Sequence, residues 1–145
     1  LAKKKWKIPI VVENIKNLPK NYNADVAVIS SPTKTRMNII QSLNVNKGLL
    51  IEKPLASTFE DVRKIEQICK KKKLITQVNF FRRVNKTNIY IKSKFLRSAF
   101  GDLQCGFCIY GKGLKNNAIH YIDLARMIFG EACYLRSLTK VPKSS

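Results

Sequence analysis

The first half of the chain alternates short apolar runs with amphipathic stretches. Four short apolar runs predict strands, and one of them, the run Asp25–Ser30, is rich in β-branched residues and nearly continuous enough in apolar character for burial on both faces. The predicted strands are Ile8–Val12, Asp25–Ser30, Gly48–Glu52 and Leu74–Phe81. Helical spacing of apolar residues predicts helices over Thr33–Leu43 and Ser57 to about Lys73. A short helical turn is predicted over Asn14–Leu18. This alternation predicts an α/β fold with a doubly wound parallel sheet and right-handed crossovers.

The segment Ser57–Lys73 carries the clearest helix signal. Ser57 and Glu60 have the spacing of a capping box. The run Lys70–Lys73 falls at the predicted carboxyl end, where the helix dipole favours cations. We therefore interpret this basic run as a solvated helix end rather than as a nucleic-acid patch.

The pattern changes after Arg82-Arg83, so we predict one domain over residues 1–81 and a second over residues 82–145. The second begins as an α+β arrangement. Its predicted elements are a helix over Lys86–Leu96, a strand over Leu103–Tyr110, a helix over Asn116–Phe129 ended by Gly130, and a strand over Cys133–Leu138.

The charge of the chain suggests a nucleic-acid partner at first sight. The 145 residues carry 28 Lys+Arg and 9 Asp+Glu, a formal net charge of +19. However, 21 of these cations are lysines spread over the whole chain, whereas phosphate recognition favours arginine. A small basic nucleic-acid-binding protein therefore stays an alternative. The hydrophobic content of 45% excludes full disorder, and no apolar run is long enough to cross a membrane.

The cysteines predict neither disulfides nor a metal site. The opening sequence lacks the apolar core of a signal peptide, so we expect a cytoplasmic protein with reduced thiols. Cys105 and Cys108 form a C-x-x-C within a predicted strand, where positions three apart point to opposite faces. No second Cys or His pair has the spacing needed to complete a zinc site.

Candidate chemistry follows the predicted strands, where sites in open α/β sheets lie. The polar segments at these positions are Ser31-Pro32-Thr33, Glu52-Lys53-Pro54 and Arg82-Arg83. A partly desolvated Lys53 is able to donate a hydrogen bond to a substrate oxygen and stabilise developing alkoxide charge. The Lys53-Pro54 bond is a candidate for the cis form.

The only histidine, His120, lies on a predicted amphipathic helix. Asp123 is three residues later and shares its face, so it is placed to orient the imidazole. A neutral imidazole is the usual proton acceptor in alcohol oxidation. Asn116 and Asn117 precede this pair and add polar groups for a substrate.

Three stretches carry a family resemblance. The segment from Ala24 to Ile65 with its E-K-P tripeptide, then VNFFRR, then the N-x-x-H-x-x-D-L helix resemble the glucose–fructose oxidoreductase/inositol dehydrogenase (Gfo/Idh/MocA) family. The resemblance covers about Ile8 to Glu131. It implies a partial Rossmann domain, then a partial substrate and oligomerisation domain. It also implies NAD- or NADP-dependent oxidation of a hydroxyl on a sugar, cyclitol or nucleotide sugar, in a parent protein that forms homo-oligomers.

The resemblance also implies roles for individual residues. It matches Lys53 and His120 to catalytic positions. It matches the cofactor-binding positions to Ser31, Pro32, Thr33, Arg36, Glu52 and Arg82, and the substrate-binding positions to Asn116, Asn117 and Asp123. Arg36 stands where a histidine is common, and Asn116 stands where an aspartate is common.

The sequence contains no G-x-G-x-x-G turn, which the family carries on an earlier strand. We therefore interpret the chain as a fragment with little dinucleotide affinity of its own. A catalytically inactive remnant with a binding role is the third reading.

Overall fold

A computed structural model describes residues 2–136 of the chain, with the side chains of Ala2 and Leu96 left aside. The chain divides between Asn79 and Phe80 into two compact units.

The first unit is built on a three-stranded parallel sheet in the order β1-β2-β3. The strands are β1 (Ala24–Ile29), β2 (Val45–Glu52) and β3 (Ile75–Asn79). Ile29 pairs with Ile51 and Glu52 pairs with Asn79, so the carboxyl ends of the strands lie side by side. The α/β class and the parallel sheet predicted from the sequence are confirmed.

The helices of this unit are α1 (Ala2–Trp6), α2 (Thr33–Ser42) and α3 (Phe59–Lys71), with a 3-10 turn over Ile15–Asn17. The buried core lies on one side of the sheet, where Ile51 packs with Ile40 of α2 and Ile65 of α3. The strands alternate between this core and the opposite face.

That opposite face corrects the prediction that the strand within Asp25–Ser30, β1, is buried on both sides. Val26 and Val28 of β1 are 60% and 63% exposed, and Ile75 of β3 is 81% exposed. Within residues 2–136, nothing covers these apolar side chains, so they remain in contact with solvent.

The segment Ile8–Val12 does not form the predicted first strand, so the described sheet has three strands instead of four. Pro9 lies within this segment and has no backbone N–H to donate to a neighbouring strand. The helix α1, directly before it, was not predicted.

The N-cap of helix α3 is one residue later than predicted, at Thr58 instead of Ser57. The hydroxyl of Thr58 accepts a hydrogen bond from the backbone N–H of Asp61 at 3.1 Å, so Thr58 is the N-cap. Thr58 and Asp61 repeat the Ser57–Glu60 spacing one residue further along the chain. The Ser57 hydroxyl instead donates to the hydroxyl of Thr33 at 3.2 Å.

Lys72 corrects the interpretation of the basic run as a fully solvated helix end. Its ammonium group donates to the carbonyl oxygens of Ile40, Gln41 and Leu43 at 2.8–2.9 Å. These carbonyls belong to the carboxyl end of α2, where the helix leaves acceptors without intrahelical partners. Lys72 thus ties the end of α3 to the end of α2.

We expect Lys72→Met to lower the free energy of unfolding by about 1–2 kcal/mol, because three carbonyls lose a charged donor. Urea unfolding followed by circular dichroism measures the loss. The exposed neighbour Lys71 supplies the control, and Lys71→Met should stay within about 0.5 kcal/mol of the parent. Equal losses in the two variants would contradict the assigned role of Lys72.

The second unit contains α4 (Lys86–Leu96), a π-helical turn (Leu114–Ala118) and α5 (Ile119–Phe129). Phe95 of α4 stacks edge-on against Phe129 of α5, with ring centroids 5.0 Å apart. The boundaries of α4 agree with the prediction, whereas the predicted helix Asn116–Phe129 divides into the π-helical turn and α5.

Neither strand predicted for the second unit forms within the described residues. The segment Leu103–Tyr110 is exposed and lacks regular structure, and the same is true of residues 133–136. Residues 137 and 138 of the last predicted strand lie outside the described part. A strand requires a hydrogen-bonded neighbour, and a short apolar segment does not supply one by itself.

Two glycines bracket the π-helical turn and α5. Gly113, directly before the turn, has φ 73° and ψ 170°, and Gly130, directly after α5, has φ 95° and ψ −170°. This region of backbone space is open to glycine and almost closed to other residues. The glycines therefore fix where the histidine-bearing segment begins and ends.

Candidate active site

The carboxyl edge of the sheet brings together the predicted polar segments of the first unit. Ser31 follows β1 and leads into α2 at Thr33, while Glu52 ends β2 directly before Lys53. Because Ile29 and Ile51 are paired, the two segments leave the sheet at the same level. The peptide bond between Lys53 and Pro54 is cis, as the sequence allowed.

Arg36 is buried beneath these segments, at 3% exposure. Its guanidinium donates to the carbonyl oxygens of Ser31 and Glu52, each at 2.6 Å, and to those of Pro54 and Leu55. Burial lowers the pKa of Arg36, and the nearby Glu52 carboxylate partly opposes this effect. Arg36 therefore joins the segment after β1 to the segment after β2, while its contact with a cofactor stays a prediction.

Asn79 is a site residue that sequence reasoning missed. Its side-chain amide donates to Oε1 of Glu52 at 2.6 Å across the β2–β3 pair. A signal was present in the sequence, since Glu52 ends one predicted strand and Asn79 lies near the carboxyl end of the next, Leu74–Phe81. The bond fixes the Glu52 carboxylate at the edge of the sheet.

The second unit carries His120 on the first turn of α5, where it is 8% exposed. The rings of Phe80 and Phe81 meet the imidazole edge-on, with centroid distances of 6.2 Å and 5.3 Å. The imidazole is therefore largely shielded from water by aromatic carbon.

Asp123 lies one turn after His120 and is 6% exposed. Both of its carboxylate oxygens accept hydrogen bonds from Arg83, at 2.7–3.0 Å. This contact raises the pKa of the Arg83 guanidinium, mainly through the hydrogen bonds to the carboxylate. Arg83 was not predicted as the partner of Asp123, and contact between Asp123 and a substrate stays a prediction.

Three further predicted residues, Arg82, Asn116 and Asn117, lie beside α5. The guanidinium of Arg82 stacks over the ring of Tyr121, with Cζ 4.2 Å from the ring centroid. Asn116 and Asn117 belong to the π-helical turn directly before α5, with Asn117 half-buried. Lys53 and His120 belong to different units, and their joint use in one reaction stays a prediction.

Metal chemistry finds no support in the described residues. Between residues 2 and 136, no group of three His, Cys, Asp or Glu side chains is arranged to hold a metal ion. Across that same range, every helix is too short or too polar to span a membrane.

Residues 1–80 match the model of the GFO_IDH_MocA group, an oxidoreductase family with an NAD-binding Rossmann fold. The chain belongs to this family. The match covers more than half of the chain and includes β1, β2 and β3 with the polar segments that follow the first two. No curated protein sequence matches the chain.

Solved structures share the fold of this family member. A scyllo-inositol dehydrogenase from Lactobacillus casei, with bound NAD(H) and scyllo-inositol, is 24% identical with a TM-score of 0.73, over 89% of this chain and 44% of that chain. A probable dehydrogenase from Thermotoga maritima is 23% identical with a TM-score of 0.74, over 90% and 44%. A myo-inositol 2-dehydrogenase from Lactobacillus plantarum is 20% identical with a TM-score of 0.73, over 89% and 44%. The chain therefore spans less than half the length of these neighbours.

Proposed function

We propose that the chain is part of an NAD(P)-dependent dehydrogenase that oxidises a hydroxyl of a sugar, cyclitol or nucleotide sugar. The observation that carries the proposal is the family match over residues 1–80, which coincides with the polar carboxyl edge of the parallel sheet. The inositol dehydrogenases among the structural neighbours favour a cyclitol. The family resemblance supports a homo-oligomeric parent protein, and a cytoplasmic location is part of the same proposal.

The described residues suit the dinucleotide at this edge. The Ser31 hydroxyl is buried and has no hydrogen-bond partner within residues 2–136, so a bound polar group would satisfy it. The proposed cofactor-binding residues are Ser31, Pro32, Thr33, Arg36, Glu52 and Arg82. When bound, the nicotinamide supplies the acceptor for the hydride that leaves the substrate carbon.

The proton of the substrate hydroxyl is transferred to the protein and not to the cofactor. His120 accepts it as general base, and Lys53 donates a hydrogen bond to the same oxygen as negative charge develops there. The rings of Phe80 and Phe81 shield the imidazole from water, which strengthens its electrostatic interaction with the substrate oxygen. Asn116 and Asn117 bind further substrate hydroxyls through their side-chain amides.

The test is dinucleotide reduction by the 145-residue chain, alone and joined to an N-terminal segment that carries a glycine-rich phosphate-binding turn. Inositols and sugars are offered with NAD or NADP, and product is followed by the absorbance of the reduced cofactor. We expect turnover of a cyclitol only in the joined form, because the turn supplies the missing pyrophosphate contacts. If the joined form binds NADH tightly but does not turn over any substrate, the inactive remnant is favoured. If the joined form neither binds NADH nor turns over a substrate, the proposal is overturned.

A further inference from the structure

Four consecutive residues, Phe80 to Arg83, lie along the start of α5. Phe80 and Phe81 contact the ring of His120, as described above. Arg82 stacks over the next helix residue, Tyr121. Arg83 closes the series by binding Asp123, so the 3-10 turn over Phe81–Val84 follows the helix along one turn of its length.

Arg83 and Asp123 form a bidentate ion pair in this series. Nε of Arg83 lies 2.7 Å from Oδ2 of Asp123, and Nη2 lies 2.7 Å from Oδ1. The Asp123 side chain is 8% exposed and the Arg83 side chain 41%. A carboxylate this well buried needs its charged partner, since an unpaired buried charge is costly.

We propose that Arg83 is a positioning residue for His120. Its bidentate hydrogen bonding to Asp123 holds the 3-10 turn against α5. The turn thereby keeps the rings of Phe80 and Phe81 in contact with the imidazole. The functional meaning of this arrangement rests on the proposed role of His120 as general base, since a proton acceptor must be held in one orientation.

The geometry requires arginine at this position. Two parallel N–H···O bonds fix both the distance and the angle between the turn and the helix, which a single ammonium group does not. Lysine at position 83 would keep the charge and lose the angular control. The variants Arg83→Lys and Arg83→Met therefore separate the two contributions.

The sole histidine of the chain makes the test direct. Proton–nitrogen correlation spectra of the imidazole report its tautomer without any overlapping histidine signal. Nuclear Overhauser contacts from its ring protons report the approach of Phe80 and Phe81. We expect Arg83→Met to abolish these contacts and broaden the imidazole signals, and Arg83→Lys to restore them in part.

A matched control lies on the same helix. Arg126 binds Glu131 through a similar pair of hydrogen bonds at 2.7–2.8 Å, with side chains 50% and 74% exposed. Arg126→Met should leave the His120 signals unchanged. A conservative second variant, Asp123→Asn, should weaken the ring contacts as Arg83→Lys does, without removing the side chain.

The outcome does not depend on enzyme turnover. Unchanged ring contacts in Arg83→Met, with an intact far-ultraviolet circular dichroism spectrum, would overturn the positioning role even in an active dehydrogenase. Equal effects in Arg83→Met and Arg126→Met would overturn it as well, because both would then act on general helix stability. Loss of the contacts in Arg83→Met alone would support it even if no substrate were turned over.

Discussion

Replacing Arg36 by methionine should lower the free energy of unfolding by about 3 kcal/mol, because four backbone carbonyls lose a buried charged donor. Methionine keeps most of the apolar stem, so the loss reports mainly on the hydrogen bonds. Since small domains are stable by only about 5–15 kcal/mol, this effect would be a large part of the total. Urea unfolding followed by circular dichroism measures it.

Arg63 provides the comparison for this variant. It is an exposed arginine of the same unit, with its guanidinium 4.8 Å from the ring centre of Phe59. Arg63→Met should cost no more than about 1 kcal/mol, the value of an exposed cation–π contact. If Arg36→Met cost as little, the carbonyl contacts of Arg36 would not be what holds the two segments together.

Removing either proposed catalytic group should have the largest effect on turnover. In the form of the protein that reduces a dinucleotide, we expect His120→Asn and Lys53→Met each to lower kcat by about 10² to 10⁴-fold. His120→Asn removes the proton acceptor, and Lys53→Met removes the hydrogen bond to the oxygen that gains charge. Initial rates at saturating substrate, with cofactor affinity measured separately by NADH fluorescence, separate chemistry from binding.

Lys47 serves as the control, because it is a lysine of β2, the strand that ends directly before Lys53. Its ammonium group binds Asp25 at 2.8 Å, and its side chain is 69% exposed. Lys47→Met should leave kcat within about twofold of the parent, as a surface substitution does. Turnover that survives in His120→Asn would assign the proton acceptor to another group.

The elements that the sequence predicted well are those whose signals are local. Helix α4 begins at the predicted residue because the side chain of Asn85 caps it, accepting from the backbone N–H groups of Thr87 and Asn88. The parallel strands are marked by short apolar runs that end at polar residues, and their pairing brings Ser31 and Glu52 to one edge of the sheet. Strand pairing is not local, which is why the apolar segment Leu103–Tyr110 remains without a strand partner among the described residues.

The side-chain contacts that sequence reasoning missed span long separations. Arg36 binds carbonyl oxygens 16 to 19 residues away, and every residue type carries such an acceptor, so no motif marks them. Arg83 and Asp123 are 40 residues apart. The spacing of His120 and Asp123 predicts that the aspartate orients the imidazole; the fold adds that its oxygens bind Arg83, from another element.

The glycines at either end of the histidine-bearing segment have a consequence for chirality. Their backbone angles are close to the mirror image of the extended conformation that ordinary residues adopt. Beyond the residue itself and its two chain neighbours, the Cβ of an L-alanine at Gly113 or Gly130 would meet no heavy atom within 4 Å, so crowding by the rest of the chain does not exclude it. Handedness does, because these backbone angles disfavour L side chains and match those of a D residue, such as a D-alanine introduced by chemical synthesis.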